Sequence, residues 1–254
     1  MKNVIIDTMG EFAASQIIGY QSALAGLVAE AMNPNAQPRR VMLATMQRLQ
    51  ASTLTALAAV FDTAVTDVAH GAVVNAYPDT PDQVAAQVAT DARATRDAAL
   101  GTVSQALARD AEVAHARIRD FHLKVEMLLA SGGRGYSSAV IAAGISERAR
   151  GITFGQTDTL GRRWKSSQFI SATLRGALQG IYADAFVRAA AAHGASSVAL
   201  QYADPEHEGH GQVIPFAESD DAPGYLSLRN EIFHPNSRAT LVRVDHGDSD
   251  VPGQ

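Results

Sequence analysis

The chain has 254 residues, a formal net charge of −5 and no cysteine. That length allows one large domain or two modest ones, and zero cysteines exclude a disulfide scaffold and any thiolate metal site. Alanine occurs 47 times, 43 of them in the first 200 residues, and without it bulky apolar residues make up only about 28% of the chain. Alanine has the highest helix propensity but buries little surface, so the composition predicts long helices with narrow apolar seams.

The start, Met1-Lys2-Asn3-Val4-Ile5-Ile6-Asp7, carries three apolar residues before an acid, short of the core of a signal segment. No stretch is expected to span a bilayer, so a soluble protein with no membrane partner is anticipated. From about Val4 to Met32, apolar residues fall at Ile6, Met9, Ala13, Ile17, Tyr20, Leu24, Val28 and Ala31, one face of a helix. Gly10, Gly19 and Gly26 each cost that helix about 1 kcal/mol relative to alanine. Asn33-Pro34-Asn35 ends it.

A second helix is expected from about Pro38 to Tyr77. A turn through Pro78 follows, with Thr80 as N-cap, Pro81 at the first helical position and Asp82 complementing the dipole. The third helix runs to about Ala130, making an antiparallel hairpin with the second. Its last third carries Ala111, Ala114, Ile118, Phe121, Val125 and Leu128, which reads as a coiled-coil-like seam. Ser131-Gly132-Gly133-Arg134-Gly135 lacks the Lys-Ser/Thr of a phosphate-binding loop and reads as a helix C-cap with a flexible joint.

Beyond the joint, a short helix is expected from about Ser138 to Arg150 and a clear one from Ser166 to Ala192. The inner face of the latter is Ile170, Leu174, Ala177, Leu178, Ile181, Ala185 and Ala189. A strip of Ala172, Gly176 and Gly180 would admit a neighbouring backbone, and Gly194 ends the helix in a left-handed conformation. Three strand-like pieces follow, Ser197–Tyr202, Gln212–Phe216 and Thr240–Val244. Pro215 places the middle one at an edge.

Charge is segregated: residues 131–180 sum to +5 and residues 201–254 to −7. The basic strip Arg148, Arg150, Arg162, Arg163, Lys165 and Arg175 is either a solvated face or a surface for an acidic partner or nucleic-acid backbone. Trp164 within it is an anchor for the following helix or a stacking platform. His207 and His210 lie in a Pro-Glu-His-Glu-Gly-His loop that could bite a metal with His234 as a third ligand, or form an acidic surface loop. No Gly-x-Ser-x-Gly elbow is present, and no catalytic residue and no cofactor are expected.

In the C-terminal half, Gly151-Ile152-Thr153-Phe154, Leu160-Gly161-Arg162-Arg163-Trp164-Lys165, Thr173-Leu174-Arg175, Gly194 before a strand, and His234-Pro235-Asn236-Ser237-Arg238 occur in order. This arrangement, over about residues 151–244, resembles the Mu F-like, or head-morphogenesis, family of tailed-bacteriophage minor head proteins. The resemblance implies a low-copy virion component of the phage head, assembled in the host cytoplasm. Its partners would be the portal protein, the major capsid protein or packaged DNA, with no small-molecule substrate. Family members often carry Cys-x-x-Cys and a further cysteine in the final motif, a set resembling a zinc site. Here His207 and His210 stand near the first pair and Ser237 replaces the last. Serine is a poor zinc ligand, which favours replacement of the site by hydrogen bonding, with Trp164, Arg175, His234, Pro235, Asn236 and Arg238 in structural roles. A metal-dependent hydrolase and a nucleic-acid-binding module carried in the head are the alternatives.

The expected fold is mainly α, with long N-terminal helical hairpins followed by helices packed on a short sheet in a small α+β module. Residues 1–130 form the extended helical region, 131–137 the Gly-rich joint, 138–244 the α+β domain and 245–254 a polar tail.

Overall fold

The computed structural model describes residues 2–132, 135–148, 151–157, 161–219 and 222–244. Six helices and five short strands are found there, in the order α1 (Lys2–Ala31), α2 (Arg39–Ala76), α3 (Asp82–Ala130), α4 (Tyr136–Arg148), β1 (Gln156–Thr157), β2 (Arg163–Trp164), α5 (Ser166–Ala192), β3 (Ser197–Gln201), β4 (Val213–Pro215), α6 (Tyr225–Ile232) and β5 (Thr240–Arg243). The fold is mainly helical with a small C-terminal antiparallel sheet, as the composition predicts. The polar tail, 245–254, lies outside the described residues.

The three long helices share one burial rule. On α1 the eight seam residues read from the sequence are all buried, and Lys2 is buried with them. Positions 2, 6, 9, 13, 17, 20, 24, 28 and 31 repeat every eleven residues. On α2, Met42, Thr53 and Ala64 form one such row, and Met46, Leu57 and Val68 another. On α3 the rows are Val88, Ala99, Asp110 and Phe121, then Ala92, Val103, Ala114 and Val125. Eleven residues in three turns is 3.67 per turn, just above the relaxed helix, and favours almost straight helices with a slight right-handed wind. The coiled-coil-like spacing expected for α3 is therefore corrected. The seam passes through Asp110 rather than Ala111, and Leu128 is only half-buried.

By length and composition alone, α1 and α2 are apolar enough to cross a bilayer, which corrects the expectation that no stretch approaches that limit. Alanine, glycine and few charges produce this property. Ile17 and Leu24 on α1 and Met42, Leu57 and Phe61 on α2 are fully buried, whereas Ile18 is 56% exposed.

Two compact units divide the chain: Met1–Gly10, Phe61–Ala99 and Ala172–Gln254 form one, Glu11–Val60 and Leu100–Ser171 the other. The division runs across helices rather than between them. In the first unit, α2 and α3 are antiparallel about the turn at Tyr77–Pro81, and Asp62 receives both Nε and Nη2 of Arg96 (2.5 and 2.9 Å). Thr80 does not cap α3 as expected. Its hydroxyl donates to the Tyr77 carbonyl (2.7 Å) and closes the turn.

The sheet of this unit has the order β4-β3-β5, antiparallel throughout. Val198 pairs with Ile214 and Leu200 with Leu241, and these four side chains are buried, so one face is apolar. Pro215 ends the edge strand β4, where a missing N–H costs no ladder bond. Gly194 ends α5 with φ of +85°. From Leu178 to Ala190, α5 is buried on nearly all sides rather than on one face, the mark of a core helix. The glycine strip on α5 admits side chains, not a backbone. Gly176 receives Pro235, 3.2 Å from where a Cβ would stand, and Gly180 receives the Arg229 guanidinium.

In the second unit, α4 (Tyr136–Arg148) begins two residues before the expected 138, residues 149 and 150 lie outside the described residues, and Gly132 after α3 has φ of +79°. Gly133 and Arg134 of the joint lie outside the described residues. Glu147 on α4 has a fully buried side chain held by Arg117 (3.0 Å) and Lys124 of α3.

The α1 glycines differ in their surroundings. A Cβ on Gly10 would stand 2.0 Å from Arg175 Nε, whereas Gly19 and Gly26 face open space. Gly19→Ala and Gly26→Ala should each stabilise the protein by up to about 1 kcal/mol. Gly10→Ala should lose that gain by displacing Arg175. Urea denaturation of the three variants measures the difference.

Candidate functional site

The segment His234–Arg238 follows α6 and precedes β5, and every described contact it makes within its unit is structural. The His234 carbonyl accepts from the Ser237 N–H (2.9 Å), and His234 Nδ1 accepts from the Asn236 N–H (3.2 Å). Buried Ser237 accepts from the Ala239 N–H through its hydroxyl oxygen (3.2 Å). Its carbonyl accepts from Gln179 Nε2 on α5 (2.7 Å). Pro235 fills the notch over Gly176.

The start of α1 closes over this turn. Arg238 Nη1 donates to Asp7 Oδ2 (2.5 Å), and Arg175 Nη2 approaches Asp7 Oδ1 at 3.8 Å. One carboxylate thus joins two guanidinium groups that lie 63 residues apart in sequence. Lys2 Nζ donates to Gln179 Oε1 (2.9 Å) and to the Ala239 carbonyl (2.5 Å), and sits 4.4 Å from the centre of the Tyr182 ring. Desolvation, with the Arg238 charge as a second cause, lowers the Lys2 amine to about 7. A neutral amine keeps two N–H donors, enough for the two acceptors present. The Tyr182 hydroxyl accepts from the Leu241 N–H (3.2 Å), and burial raises its pKa.

The candidate metal ligands are not assembled. Among the described residues no group of three His, Cys, Asp or Glu side chains could hold an ion. The hydrogen bonds explain the failure. Nδ1 of His207 accepts from the Gly209 N–H (3.1 Å), Nδ1 of His210 from the Tyr202 N–H (3.3 Å), and Nδ1 of His234 from the Asn236 N–H. An Nδ1 that accepts has no proton of its own, so the ring proton sits on Nε2 and neither nitrogen offers a metal a free lone pair. A ligating histidine does the reverse, donating from its second nitrogen.

The basic strip is divided. Arg163 and Trp164 form β2, whose partner is β1 in the register Gln156 to Trp164 and Thr157 to Arg163. Trp164 is half-buried, and the Arg162 guanidinium lies 5.7 Å from its ring centre. Arg162, Arg163 and Lys165 are exposed. Arg175, in the first unit, approaches Asp7 instead. Arg150 and the side chain of Arg148 lie outside the described residues.

Two polar centres, one buried and one part-buried, escape a reading by motif. In the second unit, Asp110 is fully buried and accepts from Gln21 Nε2 (2.8 Å), the Ser166 hydroxyl (2.8 Å) and Gln156 Nε2 (3.4 Å). Burial raises its carboxyl pKa, and the three donors oppose that rise. Ser166 is the first residue of α5, so the positive end of that helix dipole also faces the carboxylate. In the first unit, Asp184 on α5 receives Arg229 Nε (2.6 Å), Arg229 Nη2 (2.5 Å) and the Tyr225 hydroxyl (2.7 Å), which fixes α6. Asp110 was visible in principle, because an eleven-residue seam lands on it. Asp184 and Arg229 follow no short spacing.

The chain matches no family model, no curated protein and no solved structure.

Stability should respond to Lys2. As pH rises past about 7 the folded amine gives up its proton, while the unfolded amine keeps its own up to about 10.5. The unfolded state then binds more protons, so stability increases with pH across that window. Lys2→Met should flatten this increase in urea titrations at successive pH values.

Proposed function

We propose that the chain is a structural component of a tailed-phage head, a minor capsid protein contacting portal, capsid or packaged DNA. The single observation that carries this reading is the meeting at Asp7 of Arg175 and Arg238. They come from two of the separate segments on which the resemblance rests. Pro235 on Gly176, the residue after Arg175, brings the same two stretches of chain together a second time. Residues that would be unrelated by chance spacing thus act as one unit, and their work is to hold α1, α5 and the turn before β5 together.

Support also comes from what surrounds that unit. Helices of 30, 38 and 49 residues carry narrow seams, a form suited to presenting long surfaces for assembly. The histidines that a hydrolase would use have their Nδ1 atoms engaged by backbone N–H groups. A nucleic-acid contact through Arg162, Arg163 and Lys165 beside Trp164 is compatible with this role.

Quantitative mass spectrometry of purified heads from the phage encoding the chain tests the assignment. The chain should be present in low copy, and heads made without it should be malformed or unfilled. Complete, filled heads lacking the chain would refute the assignment.

A further inference from the structure

A cleft of about 540 Å³ lies beside α6 and is lined by Tyr202, His207, Leu228, Glu231, His234 and Arg238, among others. Its volume falls in the range of small-ligand sites. Two of its walls are built the same way. At His207 the carbonyl accepts the N–H three residues on (2.8 Å) and Nδ1 accepts the N–H two residues on (3.1 Å). At His234 the corresponding distances are 2.9 and 3.2 Å. Two loops remote in sequence therefore bring imidazoles in the same tautomer to one cleft.

That tautomer decides the chemistry. With Nδ1 accepting, each ring bears its proton on Nε2 and presents a donor. Arg238 gives Nη1 to Asp7 but is 58% exposed, and its fork has further N–H groups for another acceptor. The donors that line the cleft call for oxygen acceptors in an occupant. Glu231 supplies the opposing carboxylate and suits an occupant that also bears a hydroxyl or ammonium donor. The flat wall is the His207 ring stacked on Tyr202, with centroids 3.6 Å apart and planes within 12°. Leu228 and Ile232 add apolar surface.

We propose that this cleft binds a small organic oxyanion, a carboxylate or phosphate attached to a planar or apolar body. The anionic oxygens are held by the Nε2–H groups of His207 and His234 with Arg238, and the body lies against Tyr202, Leu228 and Ile232. The site stands independently of the virion assignment.

Long-range proton–nitrogen spectra of the imidazoles in the intact chain test it, with benzoate and phenyl phosphate as probes, benzyl alcohol as the uncharged control and zinc as the competing ligand. His207 and His234 should show the Nε2–H tautomer and shift together, saturably, with one or both anions. The tighter of the two probes identifies the headgroup, and His210, which does not line the cleft, should stay unmoved. His207→Phe, which keeps a ring to stack on Tyr202, and Arg238→Gln, which leaves both histidines intact, should each weaken binding about tenfold or more. No saturable shift with either anion, equal binding of benzyl alcohol, or Nδ1–H rings that take up zinc would each overturn the proposal.

Discussion

An apolar seam that returns every eleven residues is the constraint on which the rest of the protein depends. It appears on α1, α2 and α3 alike, and it fixes which side of each helix faces protein. Because 3.67 residues per turn nearly matches the relaxed helix, a long seam stays on one side with little winding. Alanine at many seam and flanking positions keeps each helix narrow, so stability per turn is small and must accumulate over length. A chain with about 28% bulky apolar residues meets its burial requirement this way, through many thin contacts rather than one thick core.

Charged residues enter the seams of the three long helices at two places, and each marks a junction. Lys2 occupies the row of Ala13 and Leu24 on α1, and Asp110 the row of Val88, Ala99 and Phe121 on α3. Neither makes its hydrogen bonds to a group of opposite charge. Lys2 is met by an amide oxygen and a carbonyl, Asp110 by two amides and a hydroxyl. Burying an ion costs several kcal/mol unless its bonding capacity is filled, and here neutral partners fill it. Each junction admits only the register in which all these partners coincide, which is how a polar residue in an apolar seam specifies alignment. Around Lys2 the same logic extends through Gln179 to Ser237 and through Asp7 to Arg175 and Arg238. The His234–Arg238 turn is thereby an anchor for the start of α1.

How much of this was legible in the sequence follows from element length. The α1 seam could be read residue by residue, because thirty residues repeat the pattern almost three times. On α3 the seven-residue spacing selects Ala111, whereas the eleven-residue seam lands one position earlier on Asp110. The β3, β4 and β5 strands are legible through Val198-Ala199-Leu200, Val213-Ile214 and Leu241-Val242. The two-residue strands β1 and β2 and the eight-residue α6 have too few residues for a period to register. At Gly224, before α6, no side chain caps the helix. Glycine is required there because a Cβ would stand 2.7 Å from the Glu218 nitrogen, a constraint invisible until the chain is folded. The histidines show the same limit. Their spacing suggested metal ligation, and only the backbone N–H groups that reach Nδ1 reverse their chemistry.

The absence of native cysteine makes the seam directly measurable. Single cysteines introduced in turn from Val103 to Leu128 of α3 and labelled with a thiol reagent in the folded protein report burial position by position. Labelling should be at least about tenfold slower at 103, 106, 107, 110, 114, 118, 121 and 125 than at the exposed positions between them. Protection that instead included 111 and 128 while leaving 110 open would return the helix to a seven-residue period and contradict the account.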